Sequence, residues 1–296
     1  MFDYLHLYNT RDRWAVGCAD LLLAAATTGA RWSPPKRVVP PAHKILLLRM
    51  ERIGDLLMAV PAITALRTRA AGAELHLVVG SWNEELARLI PGVTRIETLD
   101  PRWLSRDTPG ASTLELIRRA AKWRATGFDL AVNFEPDIRT NGLLALSGAP
   151  HRVGFHSGGG GAFLTRALPY DTTAHTTANA LRLVDTIFPG SAAKAGNATV
   201  QEFACLDVPE EARQEVVGRL ADAGPLVIGI NPSGGRRLKQ WDPDRFAQAA
   251  TRLARAHHAT VALIGAPEDR PLVNTVRDAL PEDVRVIDFA GQLDLV

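Results

Sequence analysis

The chain has 296 residues, 46% of them hydrophobic and 22% charged, a balance that fits two ordinary folded domains and excludes a disordered or low-complexity polymer. Its two cysteines, Cys18 and Cys205, stand far apart and outside any CxxC spacing, which argues against a disulfide framework or a cysteine-based zinc site and suits a reducing, cytoplasmic compartment. The net charge of +2 divides into +4 over residues 1–50 and −2 beyond them, and without interleaved basic and aromatic residues it leaves no nucleic-acid footprint.

Residues 1–42 read as an amino-terminal extension. Residues 14–30 come nearest to a signal or membrane span, but Asp20 interrupts them and Gly17, Gly29, Thr27 and Thr28 dilute them, so neither is expected. Two readings stay open. One is an amphipathic helix lying on the inner face of an anionic membrane, with Arg11, Arg13 and Arg31 flanking Leu21, Leu22 and Leu23; the other is a helix packed on the first domain.

Beyond Pro34, Pro35, Pro40 and Pro41 the pattern becomes regular. Apolar runs at 44–50, 74–79, 128–133, 226–231, 259–265 and 284–288 predict buried parallel strands. Helical patterns at 55–71, 113–126, 176–188, 210–221, 244–257 and 269–280 fall between them. This is the alternation of βαβ units, an α/β chain with Rossmann-like doubly wound parallel sheets. The boundaries follow as a first domain over 43–188, a linker and connecting helix over 189–225 that opens with a small-residue loop at 189–200, and a second domain over 226–296. Only three predicted strands fall in the second domain, where a doubly wound sheet carries about five or six, so that domain is expected to be incomplete.

Three strand-to-helix turns could carry chemistry, because ligands of open α/β sheets bind beyond the carboxyl ends of the strands. The first is Arg49-Met50-Glu51-Arg52-Ile53-Gly54-Asp55, which puts Asp55 in the first turn of a helix; there it is either a reactive carboxylate or a partner of the helix dipole. The second is Asn231-Pro232-Ser233-Gly234-Gly235 followed by Arg236, Arg237, Lys239, Gln240 and Trp241, a Gly-rich turn with cations that suits a diphosphate or is a solvated surface. The third is Gly265-Ala266-Pro267-Glu268, where Glu268 could accept ribose hydroxyls or simply open a helix. The second turn is neither a P-loop nor GxGxxG, the first turn lacks the glycine fingerprint of a dinucleotide oxidoreductase, and Ser157 lacks the GxSxG setting of a serine hydrolase. The eight histidines show no paired ligand spacing, His257-His258 reads as a helix-end dipole partner, and no metal site is assigned.

In order along residues 43–295, the chain carries Arg52-Ile53-Gly54-Asp55, Pro61-Ala62-Ile63-Thr64-Ala65-Leu66-Arg67, Phe128-Asp129-Leu130-Ala131-Val132 and Arg152-Val153-Gly154-Phe155. Asn231-Pro232-Ser233 with Lys239 and Trp241 follows, then Ile264-Gly265-Ala266-Pro267-Glu268-Asp269 and Asp288-Phe289-Ala290-Gly291. This ordered set resembles glycosyltransferase family 9, the lipopolysaccharide heptosyltransferases and their relatives, which have the GT-B fold. The resemblance implies an inverting transfer of a heptose-like sugar from a nucleotide-sugar donor, usually ADP-linked, to a lipid-linked core oligosaccharide, with no cofactor and no obligatory metal. It implies Asp55 as catalytic base, Ser233 and Gly234 as the diphosphate loop, Lys239 as the phosphate-binding cation and Glu268 as the ribose-binding acid. The family's carboxyl-side Asp-Thr/Ser-Gly-Pro-x-His turn has no counterpart in these residues, so the chain is expected to be either a truncated fragment or a degenerate member with weak donor binding. The alternative in another class is a catalytically silent carbohydrate- or nucleotide-binding protein.

Overall fold

Strand β1, Lys44–Leu48, shows how the first sheet is built: Ile45, Leu46, Leu47 and Leu48 are all fully buried, with alternate residues serving opposite faces. The structure is a computed structural model that describes residues 2–27, 42–105, 109–189, 206–234 and 237–294. Arg31, the four prolines from Pro34 to Pro41, the small-residue loop at 190–200, Cys205, Gly235 and Arg236 lie outside the described residues. The chain divides into two units, Met1–Asp207 and Val208–Val296.

In the first unit β1 is followed by helix α2 (Ile53–Arg69), β2 (Glu74–Val79), α3 (Glu84–Arg88), β3 (Val93–Thr98), α4 (Thr113–Lys122) and β4 (Leu130–Asn133). Then come α5 (Ile138–Leu146), β5 (His151–Phe155), β6 (Arg166–Leu168) and α6 (Thr176–Ile187). The six strands form one parallel sheet in the order β3-β2-β1-β4-β5-β6. Ile45 and Leu47 pack with residues of α2 and α6 on one face, while Leu46 and Leu48 pack with Leu116 and Ala120 of α4 and Leu143 and Leu144 of α5 on the other. Both faces are thus covered, as a parallel sheet requires. Chain order reverses between β1 and β4, so the loops after these neighbours diverge and leave a crevice at their carboxyl ends.

Among the strands and α-helices of the described residues, five were not predicted. β3, with the sequence VTRIET, is an edge strand exposed at Thr94 and Arg95, so it shows no continuous apolar run. His151 and Arg152 disguise β5, β6 has only three residues, α3 has five, and α5 is too short to show a long helical period.

The extension forms helix α1, Thr10–Thr27, and it packs on the first unit. Phe2 and Leu5 are buried, the His6 amide donates to the Ser157 carbonyl at 2.8 Å, and Asp20 accepts the Tyr4 hydroxyl at 2.9 Å and the Gly160 amide at 2.6 Å. Gly160 and its neighbour Gly159 have φ of +75° and +89°, which lets the loop fold tightly against α1 and α5. Trp14, Leu21 and Leu22 remain exposed. Among the described residues no helix is long and apolar enough to cross a membrane.

The second unit contains α7 (Glu210–Arg219), β7 (Val227–Ile230), α8 (Pro243–His257), β8 (Thr260–Leu263), α9 (Arg270–Asp278) and β9 (Val286–Asp288). The three strands are parallel in the order β7-β8-β9, matching the three predicted. Its core joins Ala247, Ala250 and Ala254 of α8 and Val273 and Val276 of α9 to Val261 and Leu263 of β8.

The docking of the extension rests on Asp20. Replacing Asp20 by Ala removes the acceptor for Gly160 and Tyr4 and is expected to cost about 1–3 kcal/mol of stability, with faster amide exchange at residues 156–161. Exchange unchanged from wild type would show that the helix does not hold this loop.

Candidate functional site

In the first unit the site grows from the end of β1. Arg49 is 3% exposed. Its Nε donates to the Asp55 carbonyl at 3.0 Å, and its Nη1 donates to the Phe134 carbonyl at 2.9 Å and lies 2.7 Å from Glu51 Oε2. Asp55 opens α2. Its Oδ2 accepts the Arg52 amide at 3.2 Å, and its Oδ1 lies 3.6 Å from Arg49 Nη2. The helix-start role and an available second oxygen therefore coexist in a side chain that is about one-third exposed. Trp82 and Asn83 pin the turn through the Glu51 carbonyl, at 2.8 and 2.7 Å, and the Arg52 guanidinium lies 5.1 Å from the Trp82 ring centre.

Across the reversal point, the loop after β4 supplies Glu135 and Asp137. Glu135 is 2% exposed, and its Oε1 accepts the amides of both Met50 and Glu51, the latter at 3.2 Å. Asp137 caps α5 by accepting the Arg139 amide at 2.7 Å, and its carboxylate also pairs with the Arg139 side chain, which stacks 4.4 Å from the Trp103 ring centre. Sequence reasoning singled out Asp55 but neither Arg49, Glu51 nor Glu135. The available signal was Asn133-Phe134-Glu135-Pro136-Asp137, a second acidic turn directly after an apolar strand.

In the second unit the turn after β7 carries Ser233, whose amide and hydroxyl both donate to Asn231 Oδ1, at 3.0 and 2.9 Å. Gly234 is held by Gln240 Nε2, which donates to its carbonyl at 3.2 Å. Lys239 ends the short turn Arg237–Lys239, is exposed, and forms no salt bridge with another described residue. Trp241 is half exposed and meets Phe246 edge-on at 5.4 Å. After β8, it is Asp269 that caps the turn by accepting the Ala266 amide at 3.0 Å. Glu268 is left exposed, without a hydrogen bond to the described residues. The Asp288-Phe289-Ala290-Gly291 segment after β9 is structural, since Asp288 pairs with Arg270 and Arg277 at 3.2 and 3.4 Å and the Gly291 amide donates to Gly265 at 2.8 Å. Because β7 and β8 are parallel neighbours, Ser233, Gly234, Lys239 and Glu268 emerge at the same end of this sheet. Asp55 belongs to the first unit. Among the described residues no group of three or more His, Cys, Asp or Glu is arranged to hold a metal ion.

The sequence matches no protein-family model and no curated protein. Solved structures do match. A family 9 glycosyl transferase from Veillonella parvula superposes with a TM-score of 0.68 at 18% identity, covering 85% of this chain and 70% of that one. The E. coli ADP-heptose lipopolysaccharide heptosyltransferase II gives 0.63 at 19% identity, over 85% and 74% of the two chains. An E. coli heptosyltransferase solved with ADP gives 0.59 at 16% identity, over 82% and 74%. The chain has their GT-B fold. At this identity the likeness speaks for the architecture, and the chemistry has to be argued from the residues.

The electrostatics around Arg49 are lopsided. Burial first, then the nearby Glu51 carboxylate, pushes the Glu135 acid up to about 8 against the pull of Arg49 and the Met50 amide; Asp137 adds to the rise. Burial likewise raises Glu51, with Arg49 opposing and Asp55 and Asp137 adding. A carboxyl whose folded pKa is raised binds more protons folded than unfolded, so its contribution is fully present below the ordinary value of 4.5 and is lost as pH rises through about 8. The difference between the unfolding free energies of wild type and Glu135→Gln should therefore change across that window, by at most about 1.4 kcal/mol per pH unit, with the variant gaining relative stability toward alkaline pH. Parallel curves from denaturant unfolding would show that Glu135 ionises normally.

Proposed function

We propose that the chain is a glycosyltransferase of the heptosyltransferase type, moving a heptose-like sugar from an ADP-linked donor to a hydroxyl of a lipid-linked core oligosaccharide with inversion. The observation that carries this reading is the placement of Asp55 at the reversal point of one sheet in a GT-B chain whose second sheet gathers Ser233, Lys239 and Glu268 at its carboxyl end. Each group has a chemical task in such a transfer. The acceptor hydroxyl loses its proton to Asp55 as its oxygen bonds to the anomeric carbon. The bond from that carbon to the donor's diphosphate oxygen breaks on the opposite side, and the diphosphate leaves with the electron pair. Lys239 and the amides of the 233–234 turn offset the charge that develops on the leaving group, while Glu268 accepts the ribose hydroxyls. A single displacement of this kind inverts the anomeric centre.

Support also comes from what is already engaged. Asp269 and Asp288 are held in caps and ion pairs, whereas Lys239 and Glu268 are exposed and without a partner among the described residues. The exposed Trp14, Leu21 and Leu22 of α1 suit contact with the membrane that carries a lipid-linked acceptor, at the cytoplasmic face.

Two substitutions test the assignment. Asp55→Ala should lower turnover with an ADP-sugar by roughly 10²–10⁴-fold while leaving ADP affinity unchanged in titration calorimetry. Retained turnover would remove Asp55 as the base. Lys239→Ala should weaken ADP binding by about 1.5–3 kcal/mol, the value of a charge-assisted hydrogen bond. An unaltered dissociation constant would return Lys239 to ordinary solvated surface, and ADP binding by wild type without any transfer would favour a silent binding protein.

A further inference from the structure

β1 and β4 stop pairing just where the candidate base is about to be presented. Their register ends at Leu48 opposite Asn133, and the last sheet-like bond runs from the Phe134 amide to the Leu48 carbonyl at 3.2 Å. The next amides that need an acceptor on this side, those of Met50 and Glu51, find none in the backbone, and Met50 is fully buried. A buried amide left without an acceptor costs about 1–3 kcal/mol. Both amides converge on one oxygen of Glu135.

We propose that Glu135 is a positioning residue for sugar transfer, holding the turn that presents Asp55 by accepting the Met50 and Glu51 amides on one buried carboxyl oxygen. The inference rests on the proposed role of Asp55. The support behind Glu135 is itself rigid. Its own amide donates to Asn133 Oδ1 at 3.0 Å, and Asn133 Nδ2 donates to Thr140 Oγ1 and Asn141 Oδ1 at 2.9 and 2.8 Å. Asn141 in turn donates to the carbonyls of Phe155 and Gly159, both at 2.9 Å. On the other side, Arg49 ties the Asp55 carbonyl to the Phe134 carbonyl, so the turn from 49 to 55 is fastened at both its amides and its carbonyl. The charged groups around Glu135 are Arg49 and Glu51 from the β1 turn and Asp137 from its own loop; Asp55 lies beyond Glu51. With acids outnumbering the one cation, the protonated form of Glu135 is the better fit: one oxygen accepts the two amides and no further charge is buried. Glutamine reproduces that form, whereas leucine fills the space with no acceptor.

The test compares wild type, Glu135→Gln and Glu135→Leu in the full chain, by amide exchange and by turnover with an ADP-sugar. Exchange at Met50 and Glu51 should quicken at least tenfold in Glu135→Leu and stay near wild type in Glu135→Gln, while ADP affinity is equal in all three. Turnover should fall at least tenfold in Glu135→Leu with the donor KM unchanged, and Glu135→Gln should recover most of the loss. Equal exchange at Met50 and Glu51 in all three proteins overturns the proposal whether or not any transfer is seen. Quickened exchange in Glu135→Leu with wild-type turnover overturns it as well, by showing that the turn does not position a reacting group. If the exchange results hold and wild type transfers no sugar, it is the proposed activity that fails, and the positioning role falls with it while the amide assignment stands.

Discussion

Arg49 brings a full positive charge to a place that is almost closed to water, and the geometry at the head of the first sheet follows from keeping that charge satisfied. No single carboxylate does so. Glu51 takes one guanidinium edge, the Phe134 and Asp55 carbonyls accept two further N–H groups, and Asp55 Oδ1 lies beyond normal hydrogen-bond reach at 3.6 Å. These partners come from two loops that the sheet order drives apart, since α2 leaves toward one face and α5 toward the other. The reversal of strand order makes the crevice, and the buried cation sews its two lips together.

The second unit treats its polar groups in the opposite way. Its acids that face cations are paired off within the unit, Asp288 with Arg270 and Arg277 and Asp283 with Arg255 at 2.8 Å. The turns after β7 and β8 use small internal bonds instead, from Ser233 to Asn231 and from Ala266 to Asp269. That economy leaves the longer side chains Lys239 and Glu268 exposed, without a partner among the described residues. One unit therefore carries a rigid, pre-arranged acidic cluster, and the other a turn whose exposed Lys239 pairs with no described residue.

In the first sheet the strands that could be read from sequence were the central β1, β2 and β4, because burial on both faces leaves a plain apolar run such as Ile45 to Leu48. The strands toward the two sides of that sheet, β3, β5 and β6, lack such a run and escaped. β3 exposes Thr94 and Arg95 and keeps Glu97 to accept the Trp123 indole N–H at 2.9 Å, while β5 begins with the half-buried His151 and Arg152. Asp55 was legible because it sits in the same short segment as the glycine and the strand that precede it. Glu135 was not, since its partners Met50 and Glu51 lie 85 and 84 residues away and only the pairing of β1 with β4 brings them together. A periodicity cannot report a contact made across a crossover.

The bond from the Gly160 amide to Asp20 spans 140 positions of the chain, and that distance has a meaning during synthesis. Helix α1 leaves the ribosome long before the loop it is built to grip. At roughly 5–20 residues per second, the helix waits about 7–28 s before Ser157 and Gly160 exist to take the His6 amide and meet Asp20. Docking is thus a late step, completed only after β5 has been added beside β4. In the interval a nascent chain offers chaperones, or a nearby lipid surface, an undocked helix whose Trp14, Leu21 and Leu22 stay exposed in the finished protein as well.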